Sequence, residues 1–210
     1  MKKAESIKRY ALFFISIVLI GLGIAFTKHA ELGVSTVSSV ANVISIKFTF
    51  LSFGTWTIFS NLLFVALQIV LLRRNFKPFQ LLQIVLAFLM GVFTDFGLLI
   101  ATLFQNEAYW QKLALLIVGN FILALGIVCS VKANVLMNSP EAFVKTVAEI
   151  AGKGFANVKL CFDSIWVLMA ILLSFVFFGE LNGVREGTVI SAFTVGFFVK
   201  LIGRFTHSDG

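Results

Sequence analysis

Charged side chains are scarce in this chain, and that scarcity restricts the class of protein. Of the 210 residues 13% are charged and 59% are hydrophobic, whereas soluble domains carry about 25% charged and about 45–50% apolar residues. The composition excludes a water-soluble fold, because a chain of this length cannot bury so much apolar surface in its own core. The sequence therefore predicts a membrane protein whose solvent is lipid.

Histidine and cysteine are also sparse, with two of each, which excludes the common metal and catalytic motifs. Neither Cys129 nor Cys161 has a histidine at the spacing of a zinc site. The chain lacks a nucleotide-binding loop, a His-Glu-x-x-His helix and a Gly-x-Ser-x-Gly turn. We expect a protein that is not an enzyme and that binds no cofactor or metal.

Long apolar runs are what the chain has in abundance. Six of them approach the length of about 17–25 residues that a membrane helix needs: residues 10–26, 50–72, 79–104, 113–131, 160–178 and 187–203. The last run is interrupted by Lys200, whose long side chain can reach the headgroups. We predict an all-α fold with six transmembrane helices, the first a retained helix rather than a signal peptide. Five glycines are expected to let helices pack closely: Gly21, Gly23, Gly91, Gly126 and Gly196.

Basic residues set the expected orientation, because cytoplasmic loops are enriched in lysine and arginine. With the N-terminus inside, 13 basic residues fall on the inner side and four on the outer side, so both termini should be cytoplasmic. The net charge of +7 lies in short clusters between apolar runs. That pattern is typical of membrane helices and not of a nucleic-acid surface.

Short ordered matches predict an internal repeat. They occur at offsets of 103 to 105 residues, pairing 22–24 with 125–127, 60–61 with 163–164, and 87–93 with 192–198. Each half, 1–106 and 107–210, then consists of a span, a short helix and two further spans. Three spans are an odd number, so the second half crosses the membrane in the opposite sense, as in the inverted repeats of many transporters.

The segment after the first span predicts the first short helix. Apolar residues follow Ser35 and Thr36 at helical spacing, and either of these two can cap the helix start. The polar face carries no charge before Lys47, whereas an interfacial helix normally displays a charged face. We expect this helix to lie inside the protein or to re-enter the bilayer.

The counterpart after the fourth span begins at Asn138 and Ser139. Ser139 is the expected N-cap, followed by a proline as the first helical residue. Glu141, Lys145 and Glu149 form a stripe at i,i+4 spacing, which we expect to be solvated.

These residues resemble a known family. The resemblance rests on Gly23, residues 30–35 (AELGVS), 73–76 (RRNF), 91–95 (GVFTD) and 187–196 (GTVISAFTVG). Together they resemble the YczE/YyaS/YitT-like family of bacterial integral membrane proteins, over residues 21–200. The resemblance implies a multi-pass protein of the bacterial plasma (inner) membrane and implies no established substrate.

Polar residues within or beside the apolar runs are the candidates for a solute or ion site, because polar groups in lipid are costly. They are Ser35, Thr36, Ser60, Asn61, Asp95, Asn138, Ser139 and Asp163. Asp95 is either an interfacial acid, which reaches the outer headgroups or pairs with Lys47 or Lys112, or a proton or cation site. Asp163 is either an interfacial acid beside Lys159 or a coupling group, and Asn61 either bonds between helices or belongs to the site.

The leading hypothesis is a small-solute transporter or permease with a polar cavity between the two halves. The starts of the short helices would present backbone N–H groups to an unknown polar or anionic solute. The alternative is a non-transporting accessory or substrate-capturing subunit of a larger membrane complex. Expected partners are the lipid bilayer and either a second copy or another membrane protein, and no nucleic acid.

Overall fold

The computed structural model describes residues 2–206, with side chains described for residues 7–204. The described chain forms eight α-helices: α1 Lys2–His29, α2 Ser39–Lys47, α3 Phe53–Leu72, α4 Leu82–Ala101, α5 Tyr109–Ala133, α6 Ser139–Ala151, α7 Phe155–Phe178 and α8 Glu186–Thr206. Short 3-10 turns lie at Thr36–Ser38, Arg73–Asn75 and Pro78–Leu81. The predicted all-α class is confirmed, and these residues contain no strand.

Six of the described helices, α1, α3, α4, α5, α7 and α8, are long and apolar enough to cross a membrane. They confirm the six predicted spans, with ends that differ from the predicted ones by a few residues. The sixth run, which Lys200 interrupts, is the long helix α8. A Lys side chain near a helix end does not prevent a span, because it can extend along the helix toward the interface.

The first and fifth helices run antiparallel through the bundle. Arg9, near the start of α1, donates from Nε to the Ala133 carbonyl at the end of α5, at 3.0 Å. Lys112, near the start of α5, pairs with Glu31 just after α1, at 2.6 Å. We call the side of the bundle where α1 begins the terminal side and the opposite side the distal side. Helix α8 begins on the distal side, where Gly187 N donates to the Leu32 carbonyl at 2.7 Å.

Close contact between α1 and α5 depends on glycine. A Cβ on Gly23 would lie 2.6 Å from the backbone nitrogen of Leu123, and one on Gly126 would lie 2.8 Å from that of Ile20. Heavy atoms pack at about 3.5–4.0 Å, so no side chain fits at either position. The predicted role of these two glycines in close helix packing is confirmed.

The short helix α2 begins at mid-depth of the bundle and rises to the distal side. Trp166 Nε1 donates to the Val37 carbonyl, just before α2, at 2.9 Å. Trp166 lies halfway along α7, about 18 Å from its distal end at about 1.5 Å per residue. At the other end of α2, Lys47 Nζ donates to the Phe177 carbonyl at 3.2 Å. The helix therefore lies inside the protein, one of the two positions expected for it.

The other short helix, α6, begins inside the bundle and ends on the terminal side. Gln68 of α3 donates to the Ser139 carbonyl at 3.1 Å. The Phe143 ring, one turn into α6, packs on the rings of Phe64 and Phe162, with centroids 5.7 and 5.8 Å apart. Phe64 is eight residues, or about 12 Å, from the end of α3. The start of α6 is thus enclosed by α3 and α7.

Most helix contacts in one half of the chain have a counterpart at the corresponding helices of the other half. Helix α1 packs on α4 as α5 packs on α8, and α3 packs on α6 as α7 packs on α2. One pair breaks the pattern among the described residues, because α3 packs along α4 whereas α7 and α8 make at most marginal contact. The pairing is what a duplication would produce, and the inverted repeat itself stays a prediction.

Candidate functional site

A cavity of about 710 Å³ lies between the two halves, which we call the central cavity. Its wall is mixed in character. Apolar side chains come from the long helices and include Ile20, Ile24, Met90, Leu123, Ile127 and Val167. Polar side chains come mainly from the starts of the short helices and from α3, α7 and α8. The cavity therefore has polar groups from both halves in one otherwise apolar bundle.

Six of the eight predicted site residues line this cavity. They are Ser35, Thr36, Ser60, Asn61, Asn138 and Asp163. Asn61 is buried, and its Nδ2 donates to the Thr57 carbonyl at 2.9 Å. That bond lies within α3, so the structure shows no interhelical bond from this nitrogen. Ser139 is buried beside the cavity and is held through its carbonyl by Gln68.

Asp95 does not line the central cavity and instead bonds to the start of α3. Its Oδ1 accepts from Gly54 N at 2.7 Å and its Oδ2 accepts from Ser52 Oγ at 2.5 Å. Ser52 is the N-cap of α3, so a carboxylate from α4 satisfies a helix start that would otherwise leave donors unpaired. Neither of the two lysine partners expected for Asp95 is found; both carboxylate oxygens bond to this helix start instead.

The starts of the two short helices differ from the predicted ones in their capping residues. Ser35 precedes the short turn that leads into α2, but its side chain makes no capping bond there. In α6 the N-cap is Asn138 rather than Ser139, and the Asn138 side chain makes no capping bond. Ser139 and Pro140 are the first two helical residues. Both short helices therefore begin at the cavity wall with no side chain capping them.

Charged groups gather at the start of α6. Lys159 Nζ pairs with Asp163 Oδ1 at 2.7 Å, one turn apart on α7, as one of the two interpretations of Asp163 predicted. Glu141 lines the same cavity, and its Oε2 is sealed from solvent without a hydrogen-bond partner in the protein. Burial raises the pKa of the Glu141 carboxyl; Asp163 adds to the rise and Lys159 opposes it.

The predicted solvated stripe on α6 is wrong for its first member. Lys145 and Glu149 are exposed and lie 4.0 Å apart, as expected of a solvated face. Glu141 instead lines the central cavity, because the first turn of α6 is enclosed by α3 and α7, whereas Lys145 and Glu149 lie further along the helix on its exposed face. Helical spacing places three residues on one face and cannot show that the surroundings of that face change along the helix.

Several buried polar atoms on the cavity wall have no partner in the protein. They are Asn138 Oδ1, Glu141 Oε2, Thr188 Oγ1 and Ser191 Oγ. Thr188 and Ser191 are each only 1% exposed. Because buried polar groups are nearly always hydrogen-bonded, this concentration around one cavity marks the cavity as a place that can bind a polar ligand.

A second cavity of about 600 Å³ adjoins the first on the terminal side. It is lined by the loop before α4, including Lys77, by the end of α5 and by α6. Ile127, Asn138 and Glu141 line both cavities. The first turn of α6 therefore forms part of the partition between them.

The central cavity opens sideways between α7 and α8. Leu160 and Leu168 of α7, and Val189 and Phe193 of α8, line the cavity and are also exposed on the outer surface. Phe193 is 75% exposed. Gly196 lies on the same opening with no atom near its Cβ position, so the expectation that it permits close packing is wrong.

Sequence patterns did not single out Glu141, Lys159, Thr188 or Ser191 as site residues. A signal was present for the two hydroxyls, since both interrupt the least apolar span. The positions of the two charged residues depend on how α6 packs against α7, which no local pattern specifies. Among the described residues, no three His, Cys, Asp or Glu side chains form a group that could hold a metal ion.

The protein is a multi-pass, all-α membrane protein. Its six long apolar helices surround a cavity with polar groups on its wall, and its two short helices begin at that wall. The chain belongs to the family of unknown function DUF6198, whose model matches residues 7–204. No curated protein and no solved structure matches the chain. The family match does not name the YczE/YyaS/YitT-like family, and that resemblance stays a prediction.

Proposed function

We propose that this protein is a transporter that carries a small polar solute through the central cavity. The observation that supports it is the cavity itself, whose 710 Å³ falls within the range of about 300–1,000 Å³ typical of small-molecule sites. Polar and ionisable groups inside a membrane are costly and mark solute or ion pathways. Transporters with inverted repeats place such a site at mid-depth, beside the starts of broken helices.

The two adjoining cavities suggest the route. A solute in the central cavity is separated from the terminal side by the first turn of α6, which carries Asn138 and Glu141. Displacement of that turn would join the two cavities and open the site to the terminal side. Asp163 and Glu141 are the carboxyl groups on this route and are our candidates for coupling to protons.

We further propose that the protein lies in the bacterial plasma membrane with its terminal side toward the cytoplasm. The distribution of basic residues supports this orientation, because Arg73, Arg74 and Lys77 all lie in the loop between α3 and α4 on that side. In this role the protein performs no chemical reaction and moves its solute unchanged.

Reconstitution in liposomes tests the proposal. Flux of a panel of labelled solutes under a pH gradient should exceed that of protein-free liposomes for at least one solute. Asp163→Asn should lower this flux about tenfold or more, because the substitution removes a group that can exchange a proton. Asp95→Asn should retain it, because Asp95 lies outside the cavity. Absence of flux for every solute, or equal flux from wild type and Asp163→Asn, would contradict the proposal.

The second candidate is the accessory subunit of a larger membrane complex. The observation that favours it is the sideways opening between α7 and α8, whose exposed apolar edges a partner helix could cover. Purification in mild detergent distinguishes the two. A stoichiometric ATPase partner would favour the accessory role, whereas flux by the purified chain alone would favour the transporter.

A further inference from the structure

The unpartnered atoms at the start of α6 specify the kind of group that would satisfy them. Glu141 Oε2 and Asn138 Oδ1 are both oxygens that accept hydrogen bonds, and neither has a donor in the protein. A ligand that complements them must donate hydrogen bonds. Ammonium and guanidinium groups are donors without acceptors, and their bonds to a carboxylate are among the strongest in proteins.

The charges on the cavity wall also favour a ligand with a positively charged group. The central cavity is lined by two carboxylates, Glu141 and Asp163, and by one lysine, Lys159. Lys159 pairs with Asp163 at 2.7 Å and acts on Glu141 without contacting it, so Glu141 has no ion pair among the described residues. The start of α6, the helix that carries Glu141, contributes only about half of an elementary positive charge, so it does not outweigh this carboxylate. An anion would meet this unpaired charge, and a cation would neutralise it.

A further polar contribution comes from α8. Ser191 lines the cavity, is 1% exposed, and its Oγ has no partner. This hydroxyl is independent of the helix start, because it lies on a different element. Together with α6 it gives the ligand polar contacts on two sides of the cavity.

The opening between α7 and α8 specifies the rest of the ligand. Its edges, Leu160, Leu168, Val189 and Phe193, are apolar and exposed on the surface that six membrane-spanning helices would turn toward lipid. A polar molecule would find no partner there, whereas an apolar group loses nothing by lying in such an opening. The cavity is therefore polar at the start of α6 and apolar at its mouth.

We infer that the ligand of the central cavity is an amphipathic organic cation, whose amine or guanidine group binds Glu141 and Asn138 and whose apolar part lies in the opening between α7 and α8. This inference rests on the proposed function, since it names the class of solute. It revises the expectation of an anionic solute, which considered only the starts of the short helices.

Binding of such a cation should strengthen as pH rises. Burial raises the pKa of Glu141, so the proton that competes with the cation binds at a higher pH than it would on an ordinary glutamate. The charged groups that face it are Lys159 and Asp163 of α7 and, from its own helix, the exposed Lys145. Helix α3, which also packs on α6, presents the neutral Gln68 there, and Lys77 lines the second cavity.

Fluorescence titration with dansylcadaverine, an aromatic primary amine, tests the inference on the full chain in lipid nanodiscs. The neutral N-pentyl analogue, which lacks the amine, controls for partition into lipid. Wild type should bind the amine saturably at about pH 8.5 and progressively more weakly as the pH is lowered, by about tenfold once Glu141 is protonated, as expected when one charge-assisted bond is lost. The neutral analogue should show no saturable binding. This comparison needs no variant.

Variants then locate the site. Glu141→Gln should weaken binding about tenfold at about pH 8.5 and abolish the pH dependence, whereas Glu149→Gln, on the same helix, should match wild type. Phe193→Ala should weaken binding, and Phe197→Ala, one turn further along α8 and outside the cavity, should not. Equal binding of the two probes, or equal binding by wild type and a folded Glu141→Gln variant, would overturn the inference.

Failure of this inference and failure of the proposed function are distinguishable. Flux of some other solute without binding of the amine would leave the transporter standing and refute the cationic ligand. Binding of the amine that depends on Glu141, without flux of any solute, would support the cationic site and refute transport.

Discussion

In the first half of the molecule α3 and α4 pack along each other, while in the second half α7 and α8 stand apart on either side of the cavity mouth. Gly54 and Gly91 bring the backbones of α3 and α4 together, so that a Cβ on Gly91 would lie 2.7 Å from the Gly54 carbonyl oxygen. At the terminal side the buried amides of Gln68 and Gln83 bond to each other at 3.0 Å. The first pair of helices is thus held together along much of its length.

The second pair lacks the equivalent of the glycine contact and of the carboxylate that Asp95 supplies to the start of α3. Gly196, which the predicted repeat aligns with Gly91, has no atom near its Cβ position. The residue aligned with Asp95 is Lys200, which is exposed, and α7 begins at Gly154 without a side-chain cap. Residues that hold α3 against α4 therefore align with residues that do not hold α7 against α8. The difference suggests that the first pair is scaffold and the second pair forms the entrance.

The largest effect should follow from adding a methyl group to the closed pair. In Gly54→Ala the new Cβ collides with the Gly91 carbonyl oxygen and with Asp95. We expect a loss of about 1–3 kcal/mol, the usual cost of overpacking, seen as a lower melting temperature in detergent. Gly196→Ala is the matched control, and it should be neutral or slightly stabilising because alanine favours helix. Equal losses from the two substitutions would contradict the comparison.

Removing the carboxylate that fastens α4 to α3 should have the next largest effect. Asp95→Ala leaves Gly54 N–H without its acceptor, and an unsatisfied donor of this kind costs about 1–3 kcal/mol. Lys200→Ala, the aligned change in the second half, should alter stability by less than about 0.5 kcal/mol, as most surface substitutions do. Thermal unfolding of both variants checks this. A Lys200→Ala loss as large as that of Asp95→Ala would show that α8 is fastened after all.

The stability of the cavity wall should depend on pH through Glu141. Burial raises the pKa of Glu141 in the folded protein above its ordinary value of about 4.3. The folded state therefore holds its proton more tightly, and stability falls as pH rises from that value through the raised one. Glu141→Gln removes this dependence, so the variant should exceed wild type in melting temperature at alkaline pH. Glu149→Gln should retain the wild-type slope, and an identical slope in Glu141→Gln would refute the assignment.

Sequence patterns were sufficient to predict the long helices, because hydropathy and length are properties of one continuous stretch of residues. The 50–72 run, for example, ends where α3 ends, at Leu72. The positions of Ser35 and Asn138 on the cavity wall were also predictable, since polar residues at the start of a short helix between two spans have few other places to lie.

The separation of α7 from α8 was not predictable in this way. Gly91 and Gly196 lie in matching apolar contexts, yet only Gly91 is in a helix contact. Whether a small residue meets a neighbouring helix depends on the whole bundle, which local composition does not describe. The position of Glu141 on the cavity wall has the same origin, because it follows from the packing of α6 against α3 and α7.

A larger side chain at Gly196 should have the smallest effect on stability. It should still weaken ligand binding, because Gly196 lies at the opening between α7 and α8. Leucine there has open space around its Cβ position and favours helix over glycine by about 0.5–1 kcal/mol, so the melting temperature should hold or rise slightly. The same side chain occupies the cavity mouth, so binding of dansylcadaverine should weaken severalfold. Phe197→Leu, a change of the same helix outside the cavity, should leave binding unchanged. If Gly196→Leu binds dansylcadaverine as tightly as wild type does, the ligand does not use the opening between α7 and α8. The separation of these two helices would then have no role in binding.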